Sequence, residues 1–384
     1  MKKALIAFLG NPYYDTRTLN LYKSLTKRGI KVKVIGFEWK DSSFISKKGE
    51  ISVYKLNKSF CSLCFYIRFV AILKYHLFLE RADYYFAEDV QTLPFISVIG
   101  KLKRGKVLYD SRELYGFLAG LKNKKTLQKS IQIIEGIFIR LVDYVITTGN
   151  MDTDFIKEKF KLQNVLTLRN LPIYKEHFNP VNIREKFNIQ ADDKVLLYQG
   201  VVLHGRGLRL VFEAIKKVGG FSLLIVGDGE EMVFYKQLAV KIGIENRVVF
   251  AGRVSQDDLL NLTAGADIGL AVIENISLSY FYALPNKLFE YIMAGKPVIA
   301  SNFPQMKEVI EKYDVGYTIN PDNEQDLVEV LLRIKSDPHL LEVLQRNCET
   351  ASTELHWEKE FETLEFLFSS RNRKKGEENT YSKE

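Results

Sequence analysis

The sequence is poor in cysteine. Three occur in 384 residues, an odd number that excludes a disulfide framework and fits a reducing compartment. Cys61 and Cys64 form a Cys-x-x-Cys inside an aromatic, apolar stretch, but no second pair exists and only Cys348 lies elsewhere, so packing is expected of them rather than zinc or redox work. Long apolar runs are also missing. The best membrane-span candidate, Phe60 to Leu73, falls short of the roughly 18 residues required and is interrupted by Arg68. The opening Met-Lys-Lys-Ala-Leu-Ile-Ala-Phe-Leu-Gly resembles a signal peptide, yet its short apolar part leads straight into strand-and-turn patterning, which predicts a first strand and a cytoplasmic protein. No Walker loop, no Gly-x-Gly-x-x-Gly spacing and no short internal repeat is present.

What the chain does contain is 46% hydrophobic and 27% charged residues, the balance of a globular protein, in a length that implies two domains. Its net charge of +8 is unevenly spread: Met1 to Pro172 carries 30 Lys and Arg against 15 Asp and Glu, and the remainder 25 against 32. A basic first half attracts nucleic acid, an anionic membrane or a phosphorylated substrate. Its basic residues form no nucleic-acid module, so nucleic acid is not expected as a partner.

Short Val/Ile/Leu/Tyr runs alternate with amphipathic segments throughout, which predicts parallel sheets wrapped by helices. In the first half the strands are Ala4 to Leu9, Lys31 to Ile35, Ile51 to Tyr54, Tyr84 to Ala87, Lys106 to Tyr109, Tyr144 to Thr147 and Val165 to Leu168. After Pro172 the pattern turns polar through Asn188, which marks a domain junction. Strands then recur at Val195 to Gln199, Ser222 to Val226, Val248 to Ala251, Ile268 to Val272 and Pro297 to Ala300, with helices between them. The fold class is therefore α/β, two doubly wound Rossmann-like domains: residues 1–172, then 173–357, with a last helix at about 358–370 crossing back to the first and a charged tail, 371–384, without apolar anchors.

Ligands of such sheets bind beyond the carboxyl ends of the strands. Four loops there stand out. Tyr198 to Gly207 holds three glycines, His204 and Arg206, and reads either as a phosphate cradle or as an ordinary turn. Val226-Gly227-Asp228-Gly229-Glu230 is a sharp turn, and Phe250-Ala251-Gly252-Arg253-Val254 is a strand end whose backbone could face a flat ring. In Ala283 to Ser301, Pro285 and Asn286 open a helix with Lys287 in its first turn and Glu290 one turn on; a cation at a helix start is unfavourable unless an anion such as phosphate compensates. Asp152-Thr153-Asp154 opens a short helix and fits capping better than metal binding, so no metal site is expected. His76, His177, His339 and His356 read as structural or exposed, and Trp357 as packed.

The run Pro285-Asn286-Lys287-Leu288-Phe289-Glu290-Tyr291, followed by Ala294-Gly295-Lys296-Pro297-Val298-Ile299, resembles the retaining family 4 glycosyltransferases of GT-B fold. The likeness covers nearly the whole chain. Asp15-Thr16-Arg17, Ala87-Glu88-Asp89 and Tyr109-Asp110-Ser111-Arg112-Glu113-Leu114 match a pattern common among bacterial members. The resemblance implies a nucleotide-sugar donor, UDP- or GDP-linked, in the second domain and an acceptor, a glycan or polyprenyl-phosphate-linked sugar, approaching from the first, with no other cofactor. Arg206 and Lys287 would hold the diphosphate beside Gly200, Gly205 and Gly227, Glu290 the ribose, Arg253 and Val254 the base, and the amides near Leu284 and Pro285 the sugar. Glu88, Asp89 and Glu113 are first-domain acids that could assist.

Four positions depart from the family pattern, among them Val201, which stands where an arginine often follows the first glycine of the phosphate loop. Tyr282 stands where a first glutamate is often found, separated from Glu290 by seven residues, and Glu88 and Arg112 stand where two histidines are usual. A nucleotide-sugar epimerase of the same fold and a non-catalytic nucleotide-sugar-binding subunit therefore remain as alternatives. The basic first half, with the stretch Phe60 to Leu79, reads either as ordinary solvated surface or as a lobe that docks on anionic lipid at the inner face of the membrane.

Overall fold

The computed structural model describes residues 1–39, 49–57 and 61–369. The predicted tail 371–384 and the residues Lys47, Lys48, Lys58 and Phe60 lie outside the described residues. Two parallel sheets form. The first contains β1 (Lys3–Ala7), β2 (Lys31–Glu38), β3 (Ile51–Lys55), β4 (Tyr84–Ala87), β5 (Lys106–Ser111), β6 (Tyr144–Thr147) and β7 (Val165–Thr167) in the order β3-β2-β1-β4-β5-β6-β7. The second contains β8 (Lys194–Gln199), β9 (Phe221–Val226), β10 (Val248–Gly252), β11 (Ile268–Ala271), β12 (Val298–Ser301) and β13 (Gly316–Ile319) in the order β10-β9-β8-β11-β12-β13. Helices cover both faces of a parallel sheet, so central strands read as unbroken apolar runs; every residue of β4 and of β9 is buried. Strand order reverses between β1 and β4 and between β8 and β11, and those two crevices are where ligands of this architecture sit.

In the first domain α1 (Thr16–Lys27), α2 (Ser62–Leu79), α3 (Leu93–Leu102), α4 (Lys125–Phe138) and α5 (Asn150–Phe160) connect the strands. The Asp15 carboxylate caps α1 by accepting the Thr18 amide at 2.7 Å, and Gly29, at φ +73°, ends it. In the second domain the helices are α6 (Ile183–Lys186), α7 (Leu208–Lys217), α8 (Met232–Ile242), α9 (Gln256–Ala264), α10 (Leu278–Phe281), α11 (Asn286–Met293), α12 (Pro304–Tyr313), α13 (Glu324–Ser336) and α14 (Pro338–Ser352). The chain then returns through α15 (Trp357–Phe361) and α16 (Glu365–Phe368). Trp357 donates its backbone amide to the Pro172 carbonyl and its indole N–H to the Ser24 hydroxyl, each at 2.8 Å, and joins Phe361, Leu364 and Phe368 in the first-domain core behind β1 and β4. The crossing therefore begins at Trp357 itself, and Leu171 already belongs to the second core.

Three local expectations are corrected. β13, α12 and α14 are additional to the elements read from the sequence: β13 is a four-residue edge strand with only Ile319 buried. The Cys-x-x-Cys does not pack. Cys61 is the N-cap of α2, its sulfur accepting the Cys64 amide at 3.2 Å, and Cys64 is exposed, whereas Cys348 is buried. Finally, α2 runs unbroken through Arg68 for 18 residues with mean hydropathy 1.4, long and apolar enough to cross a membrane, yet it lies on the first sheet with Phe65, Phe69, Leu73, His76 and Leu77 buried.

Candidate functional site

The second-domain site grows from the end of β8. Tyr198 and Gln199 are buried, and Gly200 starts the loop with φ +126°. A Cβ on Gly227 would lie 1.9 Å from the Gly200 carbonyl oxygen, so the turns after β8 and β9 touch through bare backbone. Gly207, at φ +70°, ends the loop directly before α7. Arg206 is carried over the Tyr280 ring at 4.9 Å from its centroid, and its Nε is buried without a partner.

Helix α11 supplies the second cation. Leu288, Phe289, Ile292 and Met293 are buried and fix the helix, which leaves Lys287 in the first turn beneath the β8 loop. Its Nζ stands 3.8 Å from the Tyr198 ring centroid and, like Arg206 Nε, is buried with no hydrogen-bond partner. Burial, and the nearby Arg206 guanidinium, hold the Lys287 ammonium well below its ordinary value, against the pull of Glu290. Two cationic side chains, each with a buried nitrogen that no protein group satisfies, stand at a helix start facing a glycine loop and have the charge and the donors to receive an anion.

Glu290 lies one turn on. One of its oxygens accepts a hydrogen bond from the Gln199 side chain, whose own carbonyl oxygen accepts from Thr263 Oγ1 at 2.9 Å. Burial raises the Glu290 pKa, opposed by the Gln199 bond and by Lys287. Gln199 lies within the loop Tyr198 to Gly207 but has no role assigned from the sequence; the available signal is a polar residue closing an otherwise apolar strand. Arg253 is exposed and reaches Asp228 at 3.6 Å, His204 is exposed on the loop, and Val254, Leu284 and Pro285 are half-buried.

The first-domain acids separate into different roles. Asp89 is buried and both its oxygens are taken by backbone amides, of Leu9 at 2.5 Å and Thr92 at 2.6 Å, so it holds a turn. Glu113 instead stands exposed on the loop after β5, where its surroundings raise its pKa and the Arg206 guanidinium of the second domain pulls it back. Glu88 and Arg112, the positions where histidines are usual in the family, are partners. Arg112 NH2 lies 2.8 Å from Glu88 Oε2, and NH1 lies 2.9 Å from Asp15 Oδ2. Thr18 Oγ1 also donates to Glu88 Oε2, at 2.6 Å, while Oε1 is buried and unpartnered. Burial lifts the Glu88 carboxyl to about 7 despite Arg112. This cluster occupies the crevice between β1 and β4.

Tyr282, in place of a glutamate, faces away from the cations. Its ring packs on the first-domain core, 6.1 Å from that of Phe155, and its carbonyl accepts from Gln305. Gln305, at the start of α12, also accepts the Met151 amide at 3.1 Å and donates to Asp152 at 3.2 Å. Asp152 is thus buried in a contact between domains rather than capping α5, whose N-cap is Gly149. Among the described residues no group of three or more His, Cys, Asp or Glu is placed to hold a metal ion.

Residues 181–351 match the model of the family Glycosyl transferases group 1. An uncharacterized glycosyltransferase of Methanocaldococcus jannaschii is 26% identical over 170 residues, 44% of this chain and 42% of its own length. The lipopolysaccharide core biosynthesis glycosyltransferase LpsE of Rhizobium meliloti is 26% identical over 157 residues, 41% and 44% of the two chains. The chain thus spans less than half the length of these curated relatives. Among solved structures, sucrose-phosphate synthase from Thermosynechococcus elongatus superimposes with a TM-score of 0.75 at 17% identity, covering 96% of this chain and 98% of that one. Anabaena HepE in complex with UDP-glucose gives 0.74 at 15% identity, covering 96% and 100%. The chain has the two-domain GT-B fold, and its residues 181–351 resemble the group 1 glycosyl transferases.

Proposed function

We propose that this protein transfers a hexosyl group from a uridine- or guanosine-diphosphate sugar to a glycan or polyprenyl-phosphate-linked acceptor, with retention and without a divalent metal, in the assembly of bacterial surface polysaccharide. The observation that carries the reading is the pair of buried, unpartnered cations, Arg206 Nε and Lys287 Nζ, at the end of β8 and the start of α11. A nucleotide diphosphate satisfies both. The UDP-glucose bound by HepE on the same fold, and the lipopolysaccharide role of LpsE, support the donor class and the setting.

In the reaction the bond from the anomeric carbon to the diphosphate oxygen breaks and the acceptor oxygen bonds that carbon on the same face. The acceptor proton passes to the departing phosphate oxygen, so no protein nucleophile is required. Arg206, Lys287 and the amides of the glycine loop are fixed where negative charge grows, and fixed donors in a water-poor cleft stabilise that charge without reorganising. Glu290 offers its carboxylate to the ribose hydroxyls, and Gln199 holds it in position. Glu113, within the field of the Arg206 guanidinium, lies on the first-domain side from which the acceptor approaches.

Calorimetric titration with UDP and with GDP in the presence of a chelator tests the site. One nucleotide should bind, and Glu290→Ala should weaken it by about 1.5–3 kcal/mol, the scale of a hydrogen bond to a charged group. If Glu290→Ala and Arg206→Ala both bind and turn over normally, the assignment is wrong. Product analysis with and without acceptor separates transfer from epimerisation.

A further inference from the structure

We propose that the outer face of α2, α3 and α4 docks the protein on an anionic lipid bilayer. The three helices lie side by side on one face of the first sheet, with α3 between the others. More than half of the large apolar side chains exposed among the described residues belong to them and to Leu141 just beyond α4. On α2 these are Leu63, Tyr66, Ile67, Tyr75, Phe78 and Leu79, a third of a helix that is apolar on every side while only one side meets the sheet. On α4 the stripe Leu127, Ile134, Ile137 and Leu141 follows helical spacing, and Glu135 is the only residue of that helix that is buried. Contiguous apolar surface of this kind calls for a partner.

Charge identifies which one. The three helices contain a single acidic residue, Glu135, and it is buried against the Tyr109 hydroxyl. Around the apolar stripe Lys122, Lys124, Lys125, Lys129 and Arg140 are all exposed, and none has a carboxylate partner among the described residues. An apolar face rimmed by unpaired cations and lacking exposed acids matches an anionic headgroup layer above an acyl phase: side chains enter the boundary while the lysines stay among the phosphates. A second copy of the same face would instead oppose lysine to lysine.

The placement also serves the chemistry. Segment 115–121, on which α4 rests through the Gln132 bond to the Gly116 carbonyl, borders α10 of the second domain and continues from Glu113. A bilayer on this face therefore lies beside the mouth of the cleft, which suits a membrane-embedded, lipid-linked acceptor. That last step rests on the proposed function; the docking surface does not.

Vesicle flotation of the full chain tests the surface. Equimolar phosphatidylcholine and phosphatidylglycerol vesicles should carry the protein, phosphatidylcholine alone should not, and added salt should release it. Joint substitution Lys122→Glu, Lys124→Glu and Lys125→Glu should lower recovery at least about tenfold, as should Ile134→Ser with Ile137→Ser, each variant keeping its nucleotide affinity in calorimetry as proof of folding. Equal recovery on both vesicles, recovery on neither, or concentration-dependent dimerisation abolished by the isoleucine variant would overturn the proposal. Vesicle binding without nucleotide binding would refute the proposed activity and leave the docking surface standing.

Discussion

Lys287 gives the sharpest test of the nucleotide site, because the same side chain should harm the free protein and help the complex. Its Nζ is buried with no hydrogen-bond partner, an arrangement that costs about 1–3 kcal/mol or more. The Tyr198 ring 3.8 Å away returns about 1–2 kcal/mol as a cation–π contact. Methionine keeps the unbranched stem and removes the charge, so Lys287→Met should raise the stability of the free protein by about 1 kcal/mol in urea denaturation. The pH dependence has a definite sign. The folded-state pKa lies below the ordinary 10.5, so between the two values the unfolded chain holds a proton that the folded one lacks, and stability rises with pH up to about 10.5. The methionine variant should lose that rise. Binding should respond in the opposite sense: a charge-assisted bond to the diphosphate is worth about 1.5–3 kcal/mol, so Kd should increase about 10- to 150-fold. A bound diphosphate also raises the lysine pKa, so wild-type binding should take up protons above the free-state pKa, visible by calorimetry in buffers of different ionisation enthalpy. A variant that is less stable than wild type and binds nucleotide with unchanged Kd would refute the reasoning.

Glu88 should impose an opposite pH dependence. Its carboxyl is lifted from 4.5 to about 7 by burial, with Asp110 and Asp15 adding to the rise and Arg112 opposing it, so wild-type stability is lost as pH climbs through that window, by about 3 kcal/mol in full. Glu88→Gln removes this contribution, and the difference between the two denaturation profiles should slope across pH 4.5–7; a flat difference would show that Glu88 does not titrate there. Trp357→Ala should cost about 3–5 kcal/mol, the range for a buried tryptophan, and expose α15 and α16 to limited proteolysis; a loss under about 1 kcal/mol would mean the return crossing is not anchored by this ring.

Much of this molecule was legible in local pattern. Apolar runs bounded by polar turns marked twelve of the strands, because a parallel strand covered on both faces must be apolar along its length. Pro285 to Tyr291 declared a helix start with a misplaced cation, since the positive end of a helix tolerates lysine only beside an anion. Other features depend on which strands become neighbours, and no periodicity contains that. Gln199 meets Glu290 across 91 residues, and Glu88 meets Arg112 only because β4 and β5 pair and α1 folds over their ends. Read singly, the last two are departures from a histidine pattern; placed together they are an ion pair. Tyr282 likewise reads as a missing carboxylate until the domains close on it and make it a contact between them. The apolar stretch of α2 shows the same division. Its composition allows a core helix, a membrane span or a docking face, and only the sheet that buries one side decides that the opposite side is left to solvent.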